Sequence, residues 1–253
     1  MNAPLLKVQG VSKHFGGFTA LSEVSIAIAP GERFGLIGPN GSGKTTLFNC
    51  VTGYLPPDGG RVIVRGRDVT GVAAHRIARL GVGRTFQLVS VFPRLSALEN
   101  LLTFLQQHQE ENVLARLVRA PRVRRLEAAA VERARSLLDS VGLGARANAP
   151  AGTLSYGQRK LLAFAAALMP DPDLLLLDEP AAAVNPTMIE QMKTQIRALH
   201  RQGKTVLLVE HNMDVVMDIS QRVIVLDHGQ KIAEGPPEVV RRDPKVVEAY
   251  FGR

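Results

Sequence analysis

The sequence predicts an α/β fold, with a parallel sheet at its centre, a small antiparallel β subdomain beside it and an α-helical subdomain inserted in the middle. Three observations carry that expectation. The apolar run from Phe34 to Ile37 leads into Gly38-Pro39-Asn40-Gly41-Ser42-Gly43-Lys44-Thr45-Thr46, and Leu47 and Phe48 follow, which reads as strand, phosphate-binding loop and helix. Two further apolar runs, Leu174 to Leu177 and Val206 to Val209, are uninterrupted, as in strands of a parallel sheet covered on both faces. Between them and the loop, helical periodicity runs from Ser96 to Leu143.

Taken in order, Leu5 to Val11 and Ser22 to Ala29 read as strands, with Val24, Ile26 and Ile28 alternating against Ser25, Ala27 and Ala29. Lys13 to Phe18 reads as a turn carrying two rings, Phe15 and Phe18, and the residues leave open whether either stacks on a base or packs in the core. Pro56-Pro57-Asp58-Gly59-Gly60 is a turn cluster before another alternating strand, Arg61 to Arg65. The helical third places Leu98, Leu101, Leu102 and Leu105 on one face, and later Val131, Ala134, Leu137, Leu138 and Val141. Arg116, Arg119, Arg122, Arg124 and Arg125 form a basic cluster interrupted by Pro121. A solvated face is its ordinary meaning, with a lipid-headgroup or nucleic-acid contact as the alternative, and the lack of interleaved aromatic residues weighs against nucleic acid.

The chemistry gathers at strand ends. Backbone N–H groups of the glycine-rich loop can curl around an anion at a helix N-terminus, Lys44 can reach terminal phosphates, and Thr45 can hold Mg²⁺. The Leu174 run ends in Asp178-Glu179, on the sheet edge where open α/β sheets bind ligands. There Asp178 can hold Mg²⁺ through water, and Glu179 can orient and deprotonate an attacking water. The Val206 run ends in Glu210-His211, placing His211 to donate to a γ-phosphate.

Lys and Arg outnumber Asp and Glu by 31 to 23, a net charge of +8 that suits an anionic partner without selecting one. Cys50 is the only cysteine, which excludes an intrachain disulfide and makes a reducing compartment the simplest expectation. Hydrophobic residues make up 45% of the 253, enough for a substantial core, yet no run is long enough for a membrane span and no signal-peptide block is expected. Work at a membrane would require docking onto something embedded there.

Leu154-Ser155-Tyr156-Gly157-Gln158, standing between the phosphate loop and Leu-Leu-Leu-Leu-Asp-Glu-Pro, resembles the signature sequence of ABC ATPases. As chemistry it is a second anion site, with Ser155 as N-cap and hydroxyl donor and Gly157 allowing close approach to a helix start. The resemblance implies an ABC-type P-loop NTPase with a RecA-like core, ATP and Mg²⁺ as ligands, and a head-to-tail dimer in which each signature completes the other chain's phosphate-loop site. It implies a core with β subdomain over 1–87 and 160–253, and a helical subdomain over 88–159. Phe15 matches the aromatic that stacks on adenine. Arg84-Thr85-Phe86-Gln87 resembles the Q-loop, whose Gln87 senses Mg²⁺ and the γ-phosphate. Nucleotide contacts are implied for Gly38, Pro39, Asn40, Gly41, Ser42, Gly43, Lys44, Thr45, Thr46, Ser155, Gly157 and Gln158, metal contacts for Thr45, Gln87 and Asp178, and catalytic roles for Lys44, Gln87, Glu179 and His211. Two positions depart from the general pattern: Tyr156 replaces the commonest glycine, and Asn185 the usual Asp of the D-loop, where an N-cap before Pro186 is the ordinary role.

Val82 to Gln87, the signature Tyr156, Pro180 to Pro186, Val209 to Asp214, and Val225 to Pro236 followed by a terminal helical segment through Tyr250 narrow this to ATP-binding subunits of branched-chain amino acid importers. Such a resemblance implies a second ATPase subunit, identical or homologous, and two permeases. It also implies a periplasmic binding protein and a peripheral place on the cytoplasmic face of the plasma (inner) membrane. Related alternatives are the ATPase of lipopolysaccharide export and soluble ABC ATPases acting on nucleic acid or ribosomes. Val91, Phe92, Pro93 and Arg94, after Gln87, read as the docking surface for a permease's cytoplasmic helix, with ordinary loop packing as the alternative.

Overall fold

The computed structural model describes residues 3–85, 91–106 and 121–251. In chain order its elements are β1 (Leu6–Phe15), β2 (Phe18–Ile28), β3 (Arg33–Ile37), α1 (Lys44–Val51), β4 (Gly59–Val64), β5 (Arg67–Asp68), α2 (Ala74–Ala78), β6 (Val82–Arg84), α3 (Ala97–Gln106) and α4 (Pro121–Ser140). They continue with α5 (Tyr156–Leu168), β7 (Leu174–Asp178), α6 (Pro186–Arg201), β8 (Thr205–Val209), α7 (Met213–Ile219), β9 (Arg222–Asp227), β10 (Gln230–Gly235), α8 (Pro237–Val240) and α9 (Pro244–Phe251). Two compact units result: Met1–Arg84 with Asp173–Ala181 and Ile196–Arg253, and Thr85–Pro172 with Ala182–Gln195.

The first unit holds both sheets. The six-stranded sheet has the order β10-β9-β3-β8-β7-β6, parallel from β9 to β6 with β10 antiparallel at one edge. Its central strands are the apolar runs of the sequence: every residue of β7 and β8 is buried. Because the strand period is two, Leu174 and Leu176 join Leu207 and Val209 in one core with Leu6, Val8, Leu21, Phe34 and Phe48. The four-stranded sheet, β2-β1-β4-β5, is antiparallel and supplies the other wall of that core. Its β2 carries the expected alternation, Val24, Ile26 and Ile28 inward and Ser25 and Ala27 outward. The expected turn from Lys13 to Phe18 is shorter than its composition suggests. Strands pair through His14–Thr19 and Phe15–Phe18, leaving only Gly16 and Gly17 at the tip.

The second unit is helical. Helix α3 packs on both α4 and α5, burying Leu101, Ala134, Leu138, Leu161 and Leu162. A capping box starts α3: Glu99 N donates to Ser96 Oγ (3.2 Å), and Ser96 N donates to Glu99 Oε2 (2.7 Å). Pro121, which interrupts the basic cluster, opens α4, where a missing N–H costs nothing. Arg124 and Arg125 are exposed, as a solvated face requires, while Arg116 and Arg119 lie outside the described residues. The second unit extends to Pro172 and holds α5 whole, its apolar face packed among the other helices.

Candidate functional site

The phosphate loop turns between β3 and α1. Gly38 has a φ of 152°, and a β-carbon there would lie 2.1 Å from the Leu226 carbonyl oxygen and 2.5 Å from Ser42 Oγ, so only glycine fits. Gly43 stands at the N-cap of α1 with no side-chain cap, and the first turn carries no acid. Such a helix start leaves its amides and the positive end of its dipole for an anion. Lys44 Nζ donates to the carbonyls of Gly38 and Pro39 at 2.8 Å each and lies 3.4 Å from Ser42 Oγ. Burial holds its pKa below the ordinary lysine value, with the Glu179 charge acting in the opposite direction. A lysine desolvated in this way gains by pairing with phosphate oxygens. Thr45 and Asn40 are exposed and Ser42 is buried. Beside the loop a cleft of about 450 Å³ opens between residues 39–42 and the side chains of Asp227, His228, Lys245 and Glu248.

Asp178 closes β7 and is buried, its Oδ2 ion-paired to Arg84 at 3.1 Å. The chain then turns sharply. Glu179 adopts φ 46°, an unusual value for a side chain branching from an L-residue, and its N–H donates to the Val209 carbonyl at the end of β8 (2.9 Å). This turn sets Glu179 Oε2 3.8 Å from His211 Nδ1. Thus Lys44, Asp178, Glu179 and His211 are brought to one edge of the parallel sheet of the first unit. Among the described residues no three His, Cys, Asp or Glu side chains form a metal cage. The Thr45 hydroxyl in the loop and the Asp178 carboxylate at the end of β7 are hard oxygen donors of the kind Mg²⁺ takes alongside substrate phosphates. Gln87 lies outside the described residues, so its implied sensing role has no geometry here.

Phe15 and Phe18 are both exposed, at 50% and 62%, on the tip of the β1–β2 hairpin, which excludes core packing for either ring. Lys13 Nζ lies 5.7 Å from the centre of the Phe15 ring and pairs with Asp58 at 2.7 Å.

In the second unit, Ser155 is the N-cap of α5 and forms a capping box with Gln158: Gln158 N donates to Ser155 Oγ (3.2 Å), and Ser155 N donates to Gln158 Oε1 (3.0 Å). Gln158 therefore builds the helix start. A β-carbon at Gly157 would lie 2.5 Å from Met188 Sδ, which would have to shift to make room. Lys160 Nζ donates to the Ala182 carbonyl (2.6 Å), tying α5 to the residues before α6, and Asn185 Oδ1 accepts from Met188 N (2.9 Å) as the N-cap of α6. Phe92 is exposed while its backbone is held by buried Asn100, which accepts from Phe92 N (2.8 Å) and donates to the carbonyls of Phe92 and Ser96.

Three groups carry little signal in the sequence. Glu210 is fully buried, accepts from Ala181 N at 2.5 Å, and has its pKa pushed up by burial. Arg84 joins β6 to α1 and β7. The Tyr250 hydroxyl is buried against the loop, its pKa raised by burial and opposed by the N–H of Gly38.

With this geometry in place, the comparisons with known proteins are decisive. The family model described as "ABC transporter" matches residues 21–182. The chain belongs to that family. A second model, "Branched-chain amino acid ATP-binding cassette transporter", matches residues 230–253, which include α8 and α9. The chain is 43% identical over its whole length to the high-affinity branched-chain amino acid transport ATP-binding protein BraF of Pseudomonas aeruginosa, covering 99% of that protein. It is 40% identical to LivG of Escherichia coli K12, of the same description and coverage. Among solved structures, a nucleotide-free ATP-binding cassette from an ABC transporter superposes with a TM-score of 0.85 at 36% identity, covering 99% of this chain and all of that one. The ADP conformation of the cassette MJ1267 gives 0.85 at 35% with full coverage of both chains. A dimeric cassette, MJ0796 bound to ADP and Pi, gives 0.77 at 27%, covering 92% of this chain and 98% of that one. The ABC ATPase fold and the nucleotide-binding character expected from the sequence are thereby established. Among the described residues no helix is long and apolar enough to cross a membrane.

Proposed function

We propose that this chain is the ATP-hydrolysing subunit of an importer for branched-chain or related hydrophobic amino acids. It works peripherally on the cytoplasmic face of the plasma membrane, with permease subunits and a periplasmic binding protein. The observation that carries the chemistry is the approach of Glu179 to His211 at the sheet edge that also presents the uncapped start of α1. The full-length similarity to BraF and LivG carries the substrate class.

On this reading Lys44 exchanges its bonds to the Gly38 and Pro39 carbonyls for β- and γ-phosphate oxygens, and the loop amides follow the phosphate chain. Thr45 and Asp178 would hold Mg²⁺, which would supply positive charge against that developing on the phosphates. Glu179 orients water and takes its proton, and His211 holds the γ-phosphate while Glu179 acts. Phe15 stacks on the base. The second anion site, at Ser155, serves the nucleotide of a partner subunit: its Oγ spends an acceptor position on the cap and keeps its proton to donate. Phe92 is the surface for a permease helix.

The test is ATP-driven uptake of leucine by the subunit reconstituted with its permeases, comparing wild type with Ser155→Asp. Aspartate is as good an N-cap as serine, so α5 survives, but its charge opposes a phosphate. Nucleotide binding to the isolated subunit should persist while hydrolysis and uptake fall at least tenfold. Undiminished hydrolysis would refute the shared site. Retention of nucleic acid on purification, with no stimulation by permeases, would refute the importer.

A further inference from the structure

We propose that Arg84 is a positioning residue for the metal-binding carboxylate, locking Asp178 to the helix that follows the phosphate loop. This rests on the reading of Asp178 given above. The Arg84 side chain is 9% exposed and that of Asp178 5%, so the pair is shielded from water. Its fork spans two elements. Nη2 holds Asp178 Oδ2 at 3.1 Å, while Nη1 donates to Asn49 Oδ1 at 2.8 Å and to Thr52 Oγ1 at 2.7 Å. Asn49 belongs to α1 and Thr52 is its C-cap, where the hydroxyl also donates to the Phe48 carbonyl at 2.7 Å. The guanidinium carbon lies 5.2 Å from the ring centres of both Phe48 and Tyr54, close enough for cation–π attraction to fix its plane.

The consequence is geometric. Phosphates and cation are held jointly by the start of α1 and the tip of β7, and Arg84 is a side-chain tie between those two elements. A lysine could carry the charge but not the planar fork that serves both sides at once. Holding Oδ2 fixes the rotation of the carboxylate, so that the direction in which Asp178 faces the metal is set before nucleotide arrives. Arg84 also ends β6, the strand from which the chain departs toward Gln87, so the tie lies where the Q-loop begins. A purely structural role, anchoring a three-residue edge strand, would lower stability without distinguishing metal-bound from metal-free nucleotide.

The experiment measures binding of a fluorescent ATP analogue in the non-hydrolysing Glu179→Gln background, in EDTA and across a Mg²⁺ titration. Residues outside the metal's first ligands commonly change metal affinity about 10–100-fold when altered. Adding Arg84→Gln should raise the half-saturating Mg²⁺ concentration about tenfold or more and leave binding in EDTA within about twofold. Arg84→Lys should shift it in the same direction, and Thr52→Val, which leaves the ion pair in place, should shift it less than Arg84→Gln. Equal losses with and without Mg²⁺, or a Mg²⁺ curve unchanged in Arg84→Gln, would overturn the proposal. If Arg84→Gln does not fold, an unchanged curve in both Arg84→Lys and Thr52→Val overturns it. Asp178→Asn separates the two readings: if it too leaves the Mg²⁺ curve unchanged, Asp178 is not the metal carboxylate, whereas a shift there with none in the Arg84 variants removes Arg84 alone.

Discussion

Glu179 combines a strained backbone with the proposed general base, and replacing it should change stability and turnover in opposite directions. Its φ of 46° places an L-residue in the left-handed region, at a cost of roughly 1–2 kcal/mol that glycine does not bear. Glycine in turn gives the unfolded chain more freedom, worth about 0.4–1 kcal/mol against folding. Glu179→Gly should therefore stabilise the isolated subunit by about 0.8 kcal/mol relative to Glu179→Ala, which keeps the strain. At an ordinary position the order is reversed. Turnover should fall alike in both, by about 10²–10⁴-fold, or roughly 2.7–5.4 kcal/mol of barrier. Urea unfolding of the isolated subunit gives the first comparison, phosphate release at saturating ATP the second, and equilibrium nucleotide binding controls for damage to the loop. An alanine variant more stable than the glycine variant would refute stored strain. Turnover within tenfold of wild type in either would refute the base. The strain has a functional reading: the left-handed turn sets the carboxylate 3.8 Å from His211.

Phe92→Ala should abolish uptake in reconstituted vesicles while leaving detergent-solubilised hydrolysis within about twofold, because the ring is exposed and the backbone beneath it is held by Asn100 rather than by the ring itself. Equal loss of both activities, or of neither, would count against a docking role. Glu210→Gln tests the buried carboxylate through pH. Burial raises the folded-state pKa of Glu210 above its ordinary 4.5, so the protonated form favours folding and that contribution is lost as pH rises through the folded value. Glutamine has no such loss, and the stability of Glu210→Gln relative to wild type should rise from acid toward neutral pH. A difference independent of pH in urea titrations would show that the carboxylate binds its proton equally well in the folded and unfolded states, against the effect of burial.

What the sequence made legible is what local chemistry determines. The phosphate loop is contiguous, and its glycine spacing carries the geometry found at Gly38 and Gly43. Asp178 and Glu179 are legible because an unbroken leucine run can only be an interior strand, and its first carboxylates must stand at the end. Arg84 was not, because its partners lie 32, 35 and 94 residues away and no periodicity connects them. Gly157 reads from sequence as a close approach to a ligand, yet Met188 of α6 also crowds the position, and a β-carbon there would make its side chain shift. The packing of α5 was not legible for a related reason: periodicity shows that a helix has an apolar face but not what covers it. Phe15 and Phe18 are both exposed on one hairpin, so the choice of Phe15 for the base rests on the family pattern alone.

The two proposed anion sites differ in a way that bears on the order of events. The start of α1 has no side-chain acceptor and a lysine whose buried charge lacks full solvation, so its amides and ammonium gain most from a phosphate. At α5 the capping box already satisfies the amide of Gln158 and the amide of Ser155, which leaves the hydroxyl proton and the helix dipole as the attraction. A helix start with no side-chain cap binds an anion by itself, whereas a capped one adds a smaller increment to an anion already held. Nucleotide should accordingly load on the phosphate loop of each subunit first, with Ser155 of the opposite subunit engaging afterwards, so that dimer closure follows binding and reports that the loop is filled.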